Sequence, residues 1–273
     1  MSGRLGPRIT MASLHPVVMR LSALATLSDP DRRLIEQLSH HRAQHQVGDE
    51  LIVEGQKLRR ARFIVSGWAT SQRLLADGRR QIFGIALPGD GVGLCPWHSP
   101  PALCSVTAAT TMETVEAEPV LARVRAGGSP GLTRALAAAG RLDELFVLDH
   151  ITRLGSQTAY ERVAHFLLEV QHRLAMAGLG DHHRFPLPLT QEIMADALGL
   201  SVVHINRTLQ QMRRDQLIEL RSGTAILLQR EALIRVADFR WPAEWAASPP
   251  APTAPPRDDQ AAAPRQLLVG RSA

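Results

Sequence analysis

The chain has 273 residues, 45% of them hydrophobic, enough to bury a substantial core and to hold two modest domains. A formal net charge of +5 and an isoelectric point of about 10.4 lean toward a polyanionic partner without establishing one. Cys95 and Cys104 are the only cysteines, which excludes a disulfide framework and makes a reducing, cytoplasmic setting the default; no apolar run approaches the ~18 residues of a membrane span.

Residues from Met1 to about Met19 show no sustained period, and the tail from about Ala243 crowds Pro249, Pro250, Pro252, Pro255 and Pro256 together. Segments 1–19 and 243–273 therefore read as disordered. Ser28-Asp29-Pro30 is a start signal for a short helical pattern, Leu34 to Leu38. From Gln46 to Ala117 the punctuation changes. Turn signals at Gly48, Gly55, Gly67, Gly78 and Gly89 divide the runs Arg62 to Val65, Trp68 to Leu75, Arg79 to Ile85 and Ser105 to Thr110, the pattern of an all-β roll. Asp77-Gly78 predicts a type I′ hairpin, because both central residues of that turn need positive φ.

After Gly131 the period becomes helical. Leu132, Leu136, Ala139, Leu142 and Leu145 or Phe146 recur three or four apart, a stripe that suits a subunit interface; packing on the chain's own barrel is the alternative. Gly155-Ser156 then reads as a hinge, and Ala159 to Ala177 forms another amphipathic helix through Val163, Phe166, Leu167, Val170 and Leu174.

The most informative stretch is Leu189 to Leu228. Thr190 is placed to cap a helix whose inward face is Met194, Ala195 and Leu198, and Gly199 permits the left-handed residue that stops it. Ser201 caps the next helix, which buries Ile205, Leu209 and Met212 and leaves Val202, Val203, His204, Asn206, Arg207, Gln210, Gln211 and Arg214 on its other faces. Ala195, Gly199 and Ile205 have the sizes and spacing that let two helices cross closely, as a helix-turn-helix requires. Two short β runs, Leu217 to Leu220 and Ala225 to Leu228, then make a winged hairpin. A generic three-helix core accounts for the apolar pattern but not for the tight turn, the Arg- and Asn-bearing face and the wing together. Double-stranded DNA is the expected partner, with a winged-helix module binding protein or RNA as the alternative.

The segments LPLTQEIMADALGLSVVHINRTLQQMRRDQLI, LPGDGVGL and GSQTAYERVAHFLLEVQHRL make the chain resemble, from about Leu21 to Asp238, the Crp/Fnr family of bacterial transcription regulators. That resemblance implies an α+β chain with a cyclic-nucleotide-binding-like β-roll (residues 20–126), a dimerisation helix (127–155) and a winged helix-turn-helix (156–242). It also implies a homodimer on a two-fold symmetric operator, with RNA polymerase as a further partner. Arg207 matches the family's guanine-reading arginine, and Thr190 and Gln191 match positions that hold the DNA backbone. Val203 stands where many members carry a glutamate, so the half-site should differ from theirs, and His204 and Asn206 become candidates for added readout.

The matching effector pocket is altered. Leu94 and Ala102 stand where cyclic-AMP-binding members have a ribose-binding Glu and a phosphate-binding Arg, and Gln81 to Ala122 contains no Arg or Lys. This leaves a cyclic phosphate without a side-chain cation and argues against cyclic AMP. The pocket candidates are Gly89, Gly91, Gly93, Leu94, Ala102 and Ser105, the glycine amides offering a weak anion cradle. Two cysteines are too few for a four-cysteine iron-sulfur cluster within one chain. They read as packing residues rather than a redox pair. His40, His41, His45, His182 and His183 read as solvated rather than metal-binding, since no carboxylate or cysteine accompanies them at ligand spacing. Neither a Gly-x-Ser-x-Gly elbow nor a P-loop nor His-Glu-x-x-His occurs, so no enzyme is expected.

Overall fold

A computed structural model describes residues 15–38 and 42–242. The expected disorder of the tail from Ala243, the first fourteen residues, and His40 and His41 lie outside these. The described residues open with two helices, α1 (His15–Leu24) and α2 (Asp29–Gln37). Residues 15–19, expected to be disordered, are helical instead: Val17 and Leu21 are buried against the roll, so tertiary burial orders a segment whose own periodicity is weak. Ser28 and Asp31 form a capping box at the start of α2.

Eight strands follow: β1 (Arg42–His45), β2 (Glu50–Ile52), β3 (Arg62–Ser66), β4 (Ala69–Leu74), β5 (Arg80–Ala86), β6 (Gly91–Val92), β7 (Ser105–Ala108) and β8 (Met112–Glu116). They make two antiparallel sheets, ordered β1-β8-β3-β6 and β2-β7-β4-β5, that close a roll over Ile64, Ala69, Val92, Val106, Ala108 and Met112. Gly67 carries the chain between sheets at φ +78°, and a Cβ there would sit 2.3 Å from that of Met112. The Asp77-Gly78 hairpin is not type I′. Gly78 alone has positive φ, and the pair Leu75 and Arg79 closes a three-residue loop through Leu75 N to Arg79 O at 2.7 Å. The extra loop residue lets Asp77 keep negative φ.

The helices α3 (Glu118–Arg125) and α4 (Pro130–Ser156) lead out of the roll, followed by α5 (Ala159–Met176), β9 (Arg184–Pro186), α6 (Gln191–Leu198), α7 (Val202–Arg214), β10 (Ile218–Arg221), β11 (Thr224–Leu227) and α8 (Arg230–Ala237). Helix α4 continues through Gly155 and Ser156, so the break falls at Gln157-Thr158 and not at the expected hinge. The predicted interface stripe on α4 is intramolecular core. Leu132 and Leu142 are fully buried and Phe146 nearly so, packed on the chain's own α1, roll and α5. The apolar row that faces solvent is another one: Val147, Leu148 and Ile151 are 50%, 61% and 60% exposed.

The C-terminal helices share one hydrophobic cluster with the roll, in which Trp68, Ile82, Ile85 and Leu87 join Phe166, Leu167, Met194, Ala195, Leu198, Ile205 and Leu209. At its far end His172 stacks on Trp241 with ring centroids 4.8 Å apart. Burial, reinforced by Arg230, depresses the His172 pKa to about 4. Its ordinary value is 6.5, so between pH 6.5 and 4 the unfolded chain binds the proton and the folded chain does not. The stability from neutral His172 is therefore full above pH 6.5 and is lost as pH falls toward 4. His172→Gln should flatten the pH dependence of urea unfolding in that window by up to about 1.4 kcal/mol per pH unit. An unchanged slope would show that His172 titrates normally in the folded chain.

Candidate nucleic-acid interface and the roll cavity

The helix-turn-helix is built from local chemistry. Thr190 Oγ1 accepts from Ile193 N at 3.2 Å and Ser201 Oγ accepts from His204 N at 3.2 Å, so each hydroxyl proton stays available for an outside acceptor. Gly199 adopts φ +62°, ψ +39°, and a Cβ there would lie 2.8 Å from Leu154 Cδ2. Met194, Ala195, Leu198, Ile205, Leu209 and Met212 are all buried. Thr208, also buried, returns its hydroxyl to the His204 carbonyl at 2.9 Å.

Thr190 and Gln191 are exposed at the start of α6, and Ser201 to His204, Asn206, Arg207, Gln210 and Arg214 are exposed on α7. Val202 and Val203 are 42% and 68% exposed. Gln210 donates to Asn206 Oδ1 at 3.0 Å, and Arg214 donates to Gln211 Oε1 at 2.6 Å. Among the described residues Arg207 has no hydrogen-bond or ion-pair partner. Beside α7, β10 and β11 form the wing around Ser222 (φ +46°) and Gly223 (φ +73°), whose two positive φ values place the type I′ turn here rather than at Asp77-Gly78. Sequence reasoning missed the third wing strand: β9 pairs with β11, Phe185 opposite Ala225. With three residues and two prolines close by, β9 has too little alternation to be recognised.

A cavity of about 730 Å3 lies between the roll, α4, α5 and α6. Of the six pocket candidates, Gly91, Gly93 and Ala102 line it. Gly89 does not: its amide donates to Ile64 O at 2.8 Å, and its Cα sits against α1, where a Cβ would meet Pro16 O at 2.9 Å. Leu94 lies over Gly91 and lines a separate, smaller cavity. Ser105 accepts from Glu54 N at 3.1 Å. The walls are mostly apolar, with Ile52, Leu58, Phe83, Val106, Phe146 and Phe166 prominent.

The expectation of a pocket without cations is corrected by residues outside the stretch from Gln81 to Ala122: Arg73, Arg153 and Arg173 reach the walls. All three are already paired. Arg73 binds Glu54 at 2.8 Å; Arg173 binds Asp90 at 2.6 Å, the Ile85 carbonyl at 2.7 Å and Glu169 at 3.0 Å; Arg153 binds Glu169. Asp90 also holds Arg20 of α1 at 2.8 Å, and the Arg173 guanidinium lies 4.4 Å from the centre of the Phe146 ring. The only local hint of this cluster in the sequence is the i, i+4 spacing of Glu169 and Arg173 on α5; that both are buried is visible only in the fold.

The remaining candidates are dispersed. Cys104 touches the cavity, where burial, with Glu54 adding, pushes its thiol pKa up and disfavours the reactive thiolate. Both cysteines are free and half-buried. His45, expected to be solvated, is half-buried against Thr114 at 2.9 Å, whereas His182 and His183 are exposed. Among the described residues no group of three or more His, Cys, Asp or Glu is placed to hold a metal, and no helix is long and apolar enough to cross a membrane.

A β-roll joined by a long helix to a winged helix-turn-helix with an exposed polar recognition face defines a DNA-binding regulator. The Crp-like helix-turn-helix domain matches residues 161–236. The chain is 31% identical to the nitrogen fixation regulation protein FixK of Azorhizobium caulinodans over 64% of its own length and 70% of that protein's. It is also 31% identical to the transcriptional activator protein FnrL of Cereibacter sphaeroides, over 71% and 78%. The structure of FixK2 from Bradyrhizobium japonicum superposes with a TM-score of 0.61 at 28% identity, covering 71% of this chain and 96% of that one. The chain belongs to the Crp/Fnr family of transcription regulators.

The ion cluster beside the cavity makes a direct prediction. Arg173→Met removes the cation shared by two buried carboxylates and should cost about 3–5 kcal/mol in urea unfolding, because the partners stay buried and lose half their compensation. Adding Asp90→Asn should deepen the loss, because it leaves Arg20 buried without its carboxylate. A single-variant effect below about 1 kcal/mol would show the cluster to be open to water.

Proposed function

We propose that the protein is a cytoplasmic homodimer that binds a two-fold symmetric operator, laying α7 of each protomer in a major-groove half-site, and that RNA polymerase is its further partner. The observation that carries this is the exposed face of α7, where Arg207 is unpaired among the described residues while the opposite face is locked in the core. Its guanidinium fork suits guanine O6 and N7 together. Asn206, His204 and Gln210 add polar reach, and the Thr190 and Ser201 hydroxyls with Gln191 serve the phosphates. Val203 offers only apolar contact, to a thymine methyl or to nothing. In this reading residues 20–126 sense, 127–155 pair and 156–242 bind DNA.

The roll cavity is the proposed effector chamber, and its chemistry favours a largely apolar small molecule over a cyclic nucleotide. A phosphate would have to compete with Glu169, Asp90 and Glu54 for guanidinium groups that are already ion-paired.

Selection of preferred duplexes from a random pool at one fixed salt concentration tests the DNA reading. Arg207→Ala should lose roughly 1–3 kcal/mol and relax one position per half-site, whereas Val203→Glu should shift one position toward a base with an amino donor, cytosine or adenine. If both variants keep the wild-type preferences, the wrong face has been placed in the groove. A fall on all sequences alike would assign Arg207 to phosphate.

The pairing surface is proposed to be the exposed row Val147, Leu148 and Ile151 on α4. Ile151→Glu places a charge in that row and should turn a sedimenting dimer into a monomer at micromolar concentration. A variant that still sediments as a dimer would move the interface elsewhere.

A further inference from the structure

The joint between α4 and the DNA-binding unit is fastened rather than free. Only Gln157 and Thr158 separate the two helices, and Thr158 caps α5 with Glu161 completing a capping box. Three side chains from Gln157 to Arg162 then reach α6, α7 and α8. Gln157 Nε2 donates to the Ala237 carbonyl at the end of α8 at 3.1 Å. Tyr160 donates its hydroxyl to Asp215, the cap residue of α7, at 2.7 Å. Arg162 does most: its guanidinium donates to the carbonyls of Gln157 at 2.8 Å, Leu154 at 3.0 Å and Leu198 at 3.1 Å.

Leu154 lies in the last turn of α4 and Leu198 ends α6, immediately before the left-handed Gly199. Carbonyls at helix C-termini lack intrahelical partners and carry negative partial charge, so a planar cation between two such ends is favourable and directionally specific. The packing agrees with the hydrogen bonds. Leu154 Cδ2 lies so close to Gly199 that any Cβ there would approach it to 2.8 Å, which seats the end of α4 directly on the turn of the helix-turn-helix.

We propose that Arg162 is a positioning residue that fixes the angle between α4 and α7, and thereby sets the half-site spacing that the dimer reads. The proposal rests on the symmetric-dimer reading above. If the two α4 helices pair about the two-fold axis, the separation and rotational phase of the two α7 helices follow from the geometry of each α4 to α7 joint. One inserted base pair turns one half-site by roughly 35° about the DNA axis, since a turn takes ~10–10.5 base pairs. A rigid joint rejects that change and a loose one follows it. Lysine at 162 keeps the charge but lacks the planar fork that spans the three carbonyls together.

The test uses the full chain and three duplexes: the selected palindrome, the same palindrome with one central base pair added, and a single half-site. Wild type should lose about tenfold or more in affinity on the insertion, whereas Arg162→Gln should lose under about threefold, with single-half-site affinity and base preference within about twofold of wild type. Arg162→Lys should fall between. Because Arg162→Gln risks loosening the fold, Leu154→Ala serves as a second variant that removes the contact over Gly199 without touching a charge; it should flatten the spacing preference too. Thermal melting of each variant accompanies the binding. Folded variants that both keep the wild-type spacing preference would overturn the proposal, as would half-site affinity falling as far as palindrome affinity. A dimeric wild type indifferent to spacing would overturn it as well, whereas a wild type that sediments as a monomer would instead overturn the dimer reading beneath it.

Discussion

Glu169 is only 4% exposed, and its burial alone would push its carboxyl pKa up; Arg153 and Arg173 on either side outweigh that and hold it below its ordinary value. The rest of the chain is arranged around this balance. Arg173 passes the charge on to Asp90 in the turn after β5, and Asp90 passes it to Arg20 on α1, so that one buried row of alternating charges joins α1, the roll, α4 and α5. Such a row is poor as a source of stability, because each ion loses its hydration on folding and recovers it only with all partners in place. What it supplies is orientation. A shift of any one element leaves a buried charge without compensation, so the row favours the arrangement in which the apolar contacts around it close.

That constraint explains why the roll and the DNA-binding half share a hydrophobic cluster instead of forming two cores joined by a linker. Trp68, Ile82, Ile85 and Leu87 face α5 and α6, and Arg80 on β5 reaches Asp196 on α6 at 3.0 Å. The cavity sits at this junction, with walls from the roll, from α4 and from α5 and α6 of the DNA-binding half. A molecule filling it would touch both halves at once, so its differential affinity for two arrangements of them is the only route by which it could bias DNA binding. The mostly apolar walls bring a second consequence. Binding there would be driven by burying the ligand's own surface, with the charged row as a fixed floor rather than a claw.

The helix-turn-helix is legible in the sequence because every feature that defines it is local. Two hydroxyl caps, one left-handed glycine and apolar residues three or four apart lie within twenty-five residues, and each has a single physical meaning. The α4 stripe is harder, since the same 3.6-residue period describes a face on a partner and a face on the chain's own barrel. Only the burial of Leu132 and Leu142 separates the two. The first helix escapes because His15 to Leu24 carries little amphipathic contrast and is ordered by contacts with residues far along the chain. The ion row escapes for the same reason in stronger form: Arg173 and Asp90 are 83 residues apart, and nothing in either neighbourhood names the other. The two hairpins show the limit of turn signals. Asp77-Gly78 is the stronger motif and forms the looser loop, whereas the type I′ geometry falls to Ser222-Gly223, where β9 and β11 fix the strand register from outside the turn.

The arginines of the recognition region differ in what each must give up before it can bind an outside acceptor. Arg214 donates to Gln211, and Arg221 on the wing pairs with Glu219, so either must give up an internal partner before it can hold a phosphate or a base. Arg207 has no such partner among the described residues and stands exposed on the helix face between Val203 and Gln210. A guanidinium bound only to water loses its hydration on entering the groove but breaks nothing within the protein, and its two parallel donors recover that loss fully only against two acceptors in the right geometry. Guanine supplies both acceptors in the major groove, while a lone phosphate oxygen or a thymine does not. On the proposed docking, discrimination at this position would come less from how tightly Arg207 binds than from how much it leaves unsatisfied when the base is wrong. That penalty is sharpest where the surrounding helix is held too firmly to shift and compensate, as α7 is by Ser201 at one end and Tyr160 at the other.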